Sequence, residues 1–226
     1  MCGRFTLAQT DPSQLRVRFP VGERLQIRRR FNAAPGDDIL AVVGRENCAP
    51  EGALLRWGLV PHWAKNPNEL GVKTINARAE TVAERPAYRD AFARRRCLIL
   101  ADGFLEWSGG TPHWITLEDG APFAFAGLWA SWRPRDGEGV EPLRTCSIVT
   151  TAAGPAVSHL HDRMPVILPL AAEHVWLDPA TPEPELHDVL AAANGRLTSR
   201  PVSRAVNDAH HDAPDCLDPP EQAALF

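Results

Sequence analysis

Cys2 is the residue of this chain whose chemistry depends most on its position. Aminopeptidases remove an initiator Met when the second residue is small, and Cys qualifies. Loss of Met1 would leave an α-amine beside a thiol, a 1,2-aminothiol. In water the amine titrates near ~8 and the thiol near ~8.5, so both keep a nucleophilic fraction at neutral pH. The amine condenses with an aldehyde to a Schiff base, and a thiol one carbon away can close a five-membered thiazolidine. An internal Cys cannot do this, because its nitrogen is an amide. The competing reading is a second residue in a frayed terminus.

Three further segments carry groups that could act with it. In Asn76-Ala77-Arg78-Ala79-Glu80-Thr81, an amide, a guanidinium and a carboxylate alternate and would share one face of an extended chain. A helix N-terminus with solvated charges is the alternative. Glu106 emerges between Leu105 and Trp107 after an Asp102-Gly103 turn. A carboxyl among apolar neighbours has a raised pKa suited to proton shuttling; a strand-edge Glu facing water competes with that. His159 and His161 stand two apart without a third ligand at convincing spacing, so no metal is expected. A single His oriented by Asp162 is better supported as acid or base, against a plain surface-loop His. Arg56-Trp57 and His62-Trp63-Ala64-Lys65 interleave aromatics with cations, the composition of a base-stacking, phosphate-holding surface. Core burial of a Trp is the competing reading there.

These groups need a scaffold. The runs 38–43, 54–59, 97–101, 113–117, 123–129 and 145–150 are short, β-branched or aromatic, and bounded by turn residues. Helices are expected over 11–19, after a Thr10-Asp11-Pro12 cap, and over 84–95, 171–177 and 183–194, the last closed by Asn194-Gly195. The elements interleave without a βαβ rhythm, which predicts an α+β fold with a curved, largely antiparallel, barrel-like sheet and a few flanking helices. The chain divides into a domain over 2–210 and a Pro/Asp-rich tail over 211–226 with partial disorder.

The 226 residues suffice for one large core, and 44% hydrophobic with 23% charged is an ordinary globular balance. No apolar run has the length of a membrane span, and no signal peptide is visible. Five cysteines without a C-x-x-C pair argue against a disulfide framework or zinc and suggest a reducing, cytoplasmic setting. The net charge of −4 conceals an asymmetry: residues 1–100 hold 17 basic and 10 acidic groups, residues 101–226 hold 7 and 18. Arg dominates the basic half, which suits a polyanion on one face; genomic base composition could produce the same bias.

Taken in order, the segments Cys2-Gly3-Arg4-Phe5, Asn32-Ala33-Ala34-Pro35-Gly36, Arg56–Pro61, Asn76–Thr81, Asp102–Trp107, Ala126–Trp129, Thr150-Thr151-Ala152 and His159–Pro165 resemble the SOS-response-associated peptidase (SRAP) family. Leu105 departs from the family's usual aromatic. The resemblance implies a single SRAP-like domain that senses abasic sites in single-stranded DNA and forms a covalent thiazolidine crosslink through Cys2. It makes Asn76 the residue orienting the amine or sugar, Glu106 the acid/base, and His161 the group that protonates or stabilises the opened deoxyribose. Arg4 and Arg78 would hold phosphates, with Trp63 and Thr150 as further DNA contacts. It also implies peptidase-like self-processing at Met1, a weak lyase side reaction, no cofactor, a monomer, and nucleoid association on damage near replication-fork proteins. Two rivals keep the same residues in other uses. One is an N-terminal-nucleophile Cys amidohydrolase, and the other a non-catalytic single-stranded DNA binder.

Overall fold

The computed structural model describes residues 2–9, 11–46, 48–134, 139–191 and 195–221. In chain order the strands are β1 (Phe5–Leu7), β2 (Arg30–Ala33), β3 (Asp38–Arg45), β4 (Cys48–Trp57), β5 (Asn76–Arg78) and β6 (Arg96–Ala101). They continue as β7 (Gly103–Ser108), β8 (Thr111–Leu117), β9 (Phe123–Trp132), β10 (Leu143–Ala152), β11 (Arg163–Pro165) and β12 (Leu197–Pro201). The helices are α1 (Pro12–Arg18), α2 (Pro67–Gly71), α3 (Arg89–Arg94), α4 (Leu170–Leu177) and α5 (Glu183–Ala191).

One sheet runs β12-β8-β7-β1-β2. The other runs β11-β10-β4-β3-β6-β9, and β9 also pairs with β10, which makes it a partly closed ring. The pairings are antiparallel except β10 with β4 and β10 with β5. The fold is α+β, as expected, with a curved and largely antiparallel sheet.

The ring's inner strands bury both faces, and the period-two geometry of a strand divides their side chains between two cores. On β3, Ile39, Ala41 and Val43 join Phe5, Trp57, Phe104 and Phe125 between the sheets. The alternate residues Leu40 and Val42 join Phe92, Trp176 and Leu186 under the helices. β6 divides likewise, with Cys97, Ile99 and Ala101 on one side and Leu98 and Leu100 on the other. Such strands appear in the sequence as unbroken apolar runs.

Two expectations need correction. The helix foreseen over 84–95 is confined to Arg89–Arg94, preceded by turns; Pro86 disfavours helical backbone in the residue before it. The tail foreseen from residue 211 is docked as far as Asp218, whose carbonyl accepts from Ser203 N at 2.8 Å. Asp212 accepts from Phe31 N at 2.6 Å and Asn32 N at 2.9 Å and pairs with Arg30. Asn32 Nδ2 donates to the carbonyls of Val206, Asp208 and His211, and Cys216 is fully buried. A Pro/Asp composition looks unstructured until those carboxylates and carbonyls find backbone and amide partners. Met1, Thr10, Asn194 and residues 222–226, on which other expectations fell, lie outside the described residues.

Candidate functional site

The position of Cys2 is set by the strand that follows it. β1 lies between β2 and β7, with Phe5 opposite both Ala33 and Phe104, and Thr6 opposite Gly103. Asp102, at the entry to β7, holds the far end of β1. Its carboxylate accepts from Thr6 Oγ1, Ala8 N and Gln9 N, each at 2.6 Å. Trp114 Nε1 donates to the same Thr6 hydroxyl at 3.0 Å, crossing Gly103 so closely that a Cβ there would lie 2.1 Å from it. Leu105 N donates to Arg4 O at 3.0 Å. Cys2 Sγ lies 3.6 Å from the same carbonyl, and Cys2 is completely buried. Cys2 is therefore an ordered, buried residue leading into an interior strand.

Asn76 reaches the same place from the other sheet. β5 is extended and runs parallel to β10, Asn76 opposite Ile148. Ala77 points into the core under the helices, so Asn76 takes the opposite face. Its Nδ2 donates to Cys2 O at 2.7 Å, while its buried Oδ1 has no hydrogen-bond partner among the described residues.

Glu106 projects from β7 and is 4% exposed. Burial raises its pKa, opposed by the positive charges of the chain's amino terminus and His161. Burial also pushes the Cys2 thiol far above its ordinary value, and the Glu106 charge adds to the rise. The thiol is accordingly protonated at neutral pH, unlike the partly ionised free thiol expected from sequence. The cause is desolvation of a charged form that the free reference thiol keeps in water.

His161 ends a turn held by its N–H to Val157 O at 3.1 Å. Its Nδ1 accepts from Arg163 N at 2.9 Å and also lies 2.7 Å from Asp162 Oδ1. One ring nitrogen cannot accept and donate in the same state. Neutral His161 with Nδ1 free of hydrogen suits the Arg163 amide, and protonated His161 suits Asp162. Glu106 on β7 lies within electrostatic reach of both Cys2, which precedes β1, and the loop residue His161, groups more than fifty residues apart from one another in sequence.

The other expected residues are more scattered. Arg78 is exposed on β5. Arg4 is half-buried, its Nε without a hydrogen-bond partner among the described residues. Trp63 is 46% exposed beside a shallow cavity of about 220 Å³ that also borders Lys65, Asn66 and Lys73. Trp57, by contrast, is core, its indole donating to Ile75 O at 2.9 Å. Thr150 has no exposed surface, and its hydroxyl is directed to Ala77 O at 3.3 Å; it offers no area to a nucleic acid. Sequence reasoning gave no role to Arg163, whose guanidinium binds Glu80 through both nitrogens and Thr150 O at 2.7 Å. Its signal was its place beside His161 in one motif. Among the described residues, His211, Asp215 and Cys216 form the group with metal-ligating spacing, on the docked C-terminal segment. His211 and Asp215 there already satisfy each other at 2.8 Å.

The chain matches the family described as SOS response associated peptidase (SRAP) over residues 1–209. It is 39% identical over 230 residues to the abasic site processing protein YoaM of Bacillus subtilis, covering 96% of this chain and 98% of that one. It is 35% identical over 194 residues to the abasic site processing protein HMCES of Gallus gallus, covering 74% of this chain and 57% of that protein. Among solved structures, a Bacteroides thetaiotaomicron protein superposes with a TM-score of 0.83 at 22% identity, covering 96% of this chain and 99% of the other. A phage-related protein of Bordetella bronchiseptica superposes with a TM-score of 0.68 at 31% identity, covering 90% and 95%.

Proposed function

The chain belongs to the SOS response associated peptidase family, and from that premise we propose that it processes abasic sites in single-stranded DNA by covalent capture on Cys2. The observation that carries this reading is the buried Cys2, its carbonyl held by Asn76 and its thiol within the field of Glu106. Processing at Met1 frees the α-amine, whether by self-cleavage or by an aminopeptidase. The closed sugar opens as its ring oxygen takes a proton from His161, the C1′–O4′ bond breaks, and the C1′ hydroxyl gives its proton to solvent to leave the aldehyde. The amine adds to C1′ of the aldehyde. Glu106, whose proton affinity burial raises, protonates the departing hydroxyl, and water leaves to give the protonated imine, whose nitrogen keeps its hydrogen. The resulting carboxylate takes the Sγ proton as sulfur attacks the carbon of the protonated imine and the C=N electron pair returns to nitrogen. Aldehyde and aminothiol thus become thiazolidine and water, and Glu106 serves as acid and then base. An imine that escapes the thiol can eliminate the 3′ phosphate, a weak lyase activity.

Arg4 and Arg78 would hold the flanking phosphates and Trp63 would stack a neighbouring base, a sequence-independent mode suited to single strands. The chemistry needs one copy of the chain, and a cytoplasmic, nucleoid-associated location fits it. No described helix is long and apolar enough to cross a membrane.

The test is a denaturing gel with a single-stranded oligonucleotide bearing one abasic site, beside an intact-base control. Wild type should give a heat-stable shifted band on the abasic strand alone, and Cys2→Ala should give none. Glu106→Gln should slow the band's appearance by roughly 10²–10⁴-fold. No band from wild-type protein shown by mass to start at Cys2 rejects the reading.

A further inference from the structure

We propose that Tyr88 is a positioning residue for Cys2, acting through the backbone of Asn76. The inference rests on the reading of Cys2 as the capturing group and adds a residue to that site. β5 is three residues long and is paired on one edge only among the described residues. Ile148 N donates to Ile75 O, and the Thr150 hydroxyl is directed to Ala77 O, so those two carbonyls face β10. Carbonyls alternate along a strand, and the Asn76 carbonyl therefore faces the open edge. The Tyr88 hydroxyl meets it there at 2.9 Å. A phenol thus stands where a neighbouring strand's N–H would be. From the same residue, the Asn76 side chain crosses to Cys2 O at 2.7 Å.

Tyr88 is built for this. It is the only Tyr of the chain. Its ring packs against the core that includes Ala77, Val82 and Phe92, and its own carbonyl accepts from Phe92 N at 2.8 Å to start α3. Burial raises the phenol's pKa to about 12, so it remains a donor across the working range of pH. Removing the hydroxyl leaves the Asn76 carbonyl without the donor that meets it on the edge opposite β10, the edge β10 does not hold. A shift of the Asn76 amide is then a shift of Cys2, and near-ångström misplacement of a reacting group is costly in rate.

The decisive experiment measures single-turnover capture of an abasic oligonucleotide by wild type, Tyr88→Phe, Asn76→Ala and the double variant. Tyr88→Phe should slow capture by roughly 3- to 30-fold with unchanged affinity for an intact-base strand. In the Asn76→Ala background it should add less than about twofold, because the route through Asn76 is already cut. Equal slowing in both backgrounds, or none in the first, overturns the proposal. A second readout does not depend on DNA. Native-state alkylation of Cys2, followed by peptide mass, should be several-fold faster in Tyr88→Phe than in wild type. If wild type makes no adduct, the covalent reading fails, and the alkylation pair alone then decides whether Tyr88 holds Cys2: equal alkylation rates overturn it.

Discussion

Asp102 is where the nucleophile's strand is fastened, and replacing it with Ala should cost stability and order at Cys2 together. The carboxylate is 2% exposed and accepts from Thr6 Oγ1, Ala8 N and Gln9 N. Each donor left buried without a partner costs about 1–3 kcal/mol. The hydroxyl of Thr6 can turn elsewhere and water can reach the Gln9 end, so the three penalties do not simply add. A loss of about 3–5 kcal/mol is expected, less than the sum of three such penalties. With an urea m-value of about 3 kcal/mol/M, that is a fall in midpoint of roughly 1–1.7 M. Thr6→Val removes one of the bonds and should lose about 1 kcal/mol. The assay is urea unfolding followed by tryptophan fluorescence, with Cys2 alkylation measured in parallel at zero urea. A midpoint for Asp102→Ala within about 0.3 M of wild type would refute the reasoning, since it would mean those donors are solvated or paired in another way.

Three other outcomes follow from the same geometry. Glu106 titrates above its unfolded value because of burial, so its contribution to stability is full below about 4.3 and is lost as pH rises through the folded value. Glu106→Gln removes that loss, and its urea midpoint should gain on wild type from about pH 4.5 upward; a difference independent of pH contradicts this. Gly103→Ala places a Cβ where the Trp114 indole passes. It should break the bond to Thr6 and cost about 1–3 kcal/mol, visible as a lower melting temperature and altered tryptophan emission; an unchanged melt argues against the close approach. In native protein at pH 8, iodoacetamide should label exposed Cys48 well before buried Cys2, and urea should abolish the difference. Equal native labelling of the two would contradict the burial of Cys2.

The sequence makes the central strands legible and the site's supports illegible, for one physical reason. β3, β6, β9 and β10 bury both faces, so their apolar runs announce them. β1, β5 and β11 are three residues each, too short for any periodicity, and exist because a longer strand holds them in register. The chemistry-bearing residues sit on or beside such pieces: Cys2 before β1, Asn76 in β5, His161 before β11. Their types suggested roles, while their placement came from partners far away in the chain. Asp102 lies about a hundred residues from the strand it fastens, and an Asp before Gly looks locally like a turn residue. β4 ends where it does because Gly58 takes a φ of 129° against the Gly71 carbonyl, an approach a Cβ could not make. That contact too is invisible without the fold.

A buried, protonated thiol looks unfit for a nucleophile, but the order of events makes it fit. The first bond to an aldehyde comes from the amine, and sulfur is needed only after the imine exists one carbon away. At that distance its effective concentration is on the order of 10⁵ M or more, and a standing thiolate is unnecessary. What the step requires is a base that appears at that moment. The desolvation that holds a proton on Sγ also raises the proton affinity of the Glu106 carboxyl. Giving that proton to the departing hydroxyl creates the carboxylate beside the thiol. An exposed thiolate would meanwhile be open to oxidation and to stray electrophiles. Burial therefore delays sulfur's reactivity until Glu106 has changed state, because the carboxylate that accepts the Sγ proton is created only when the hydroxyl departs.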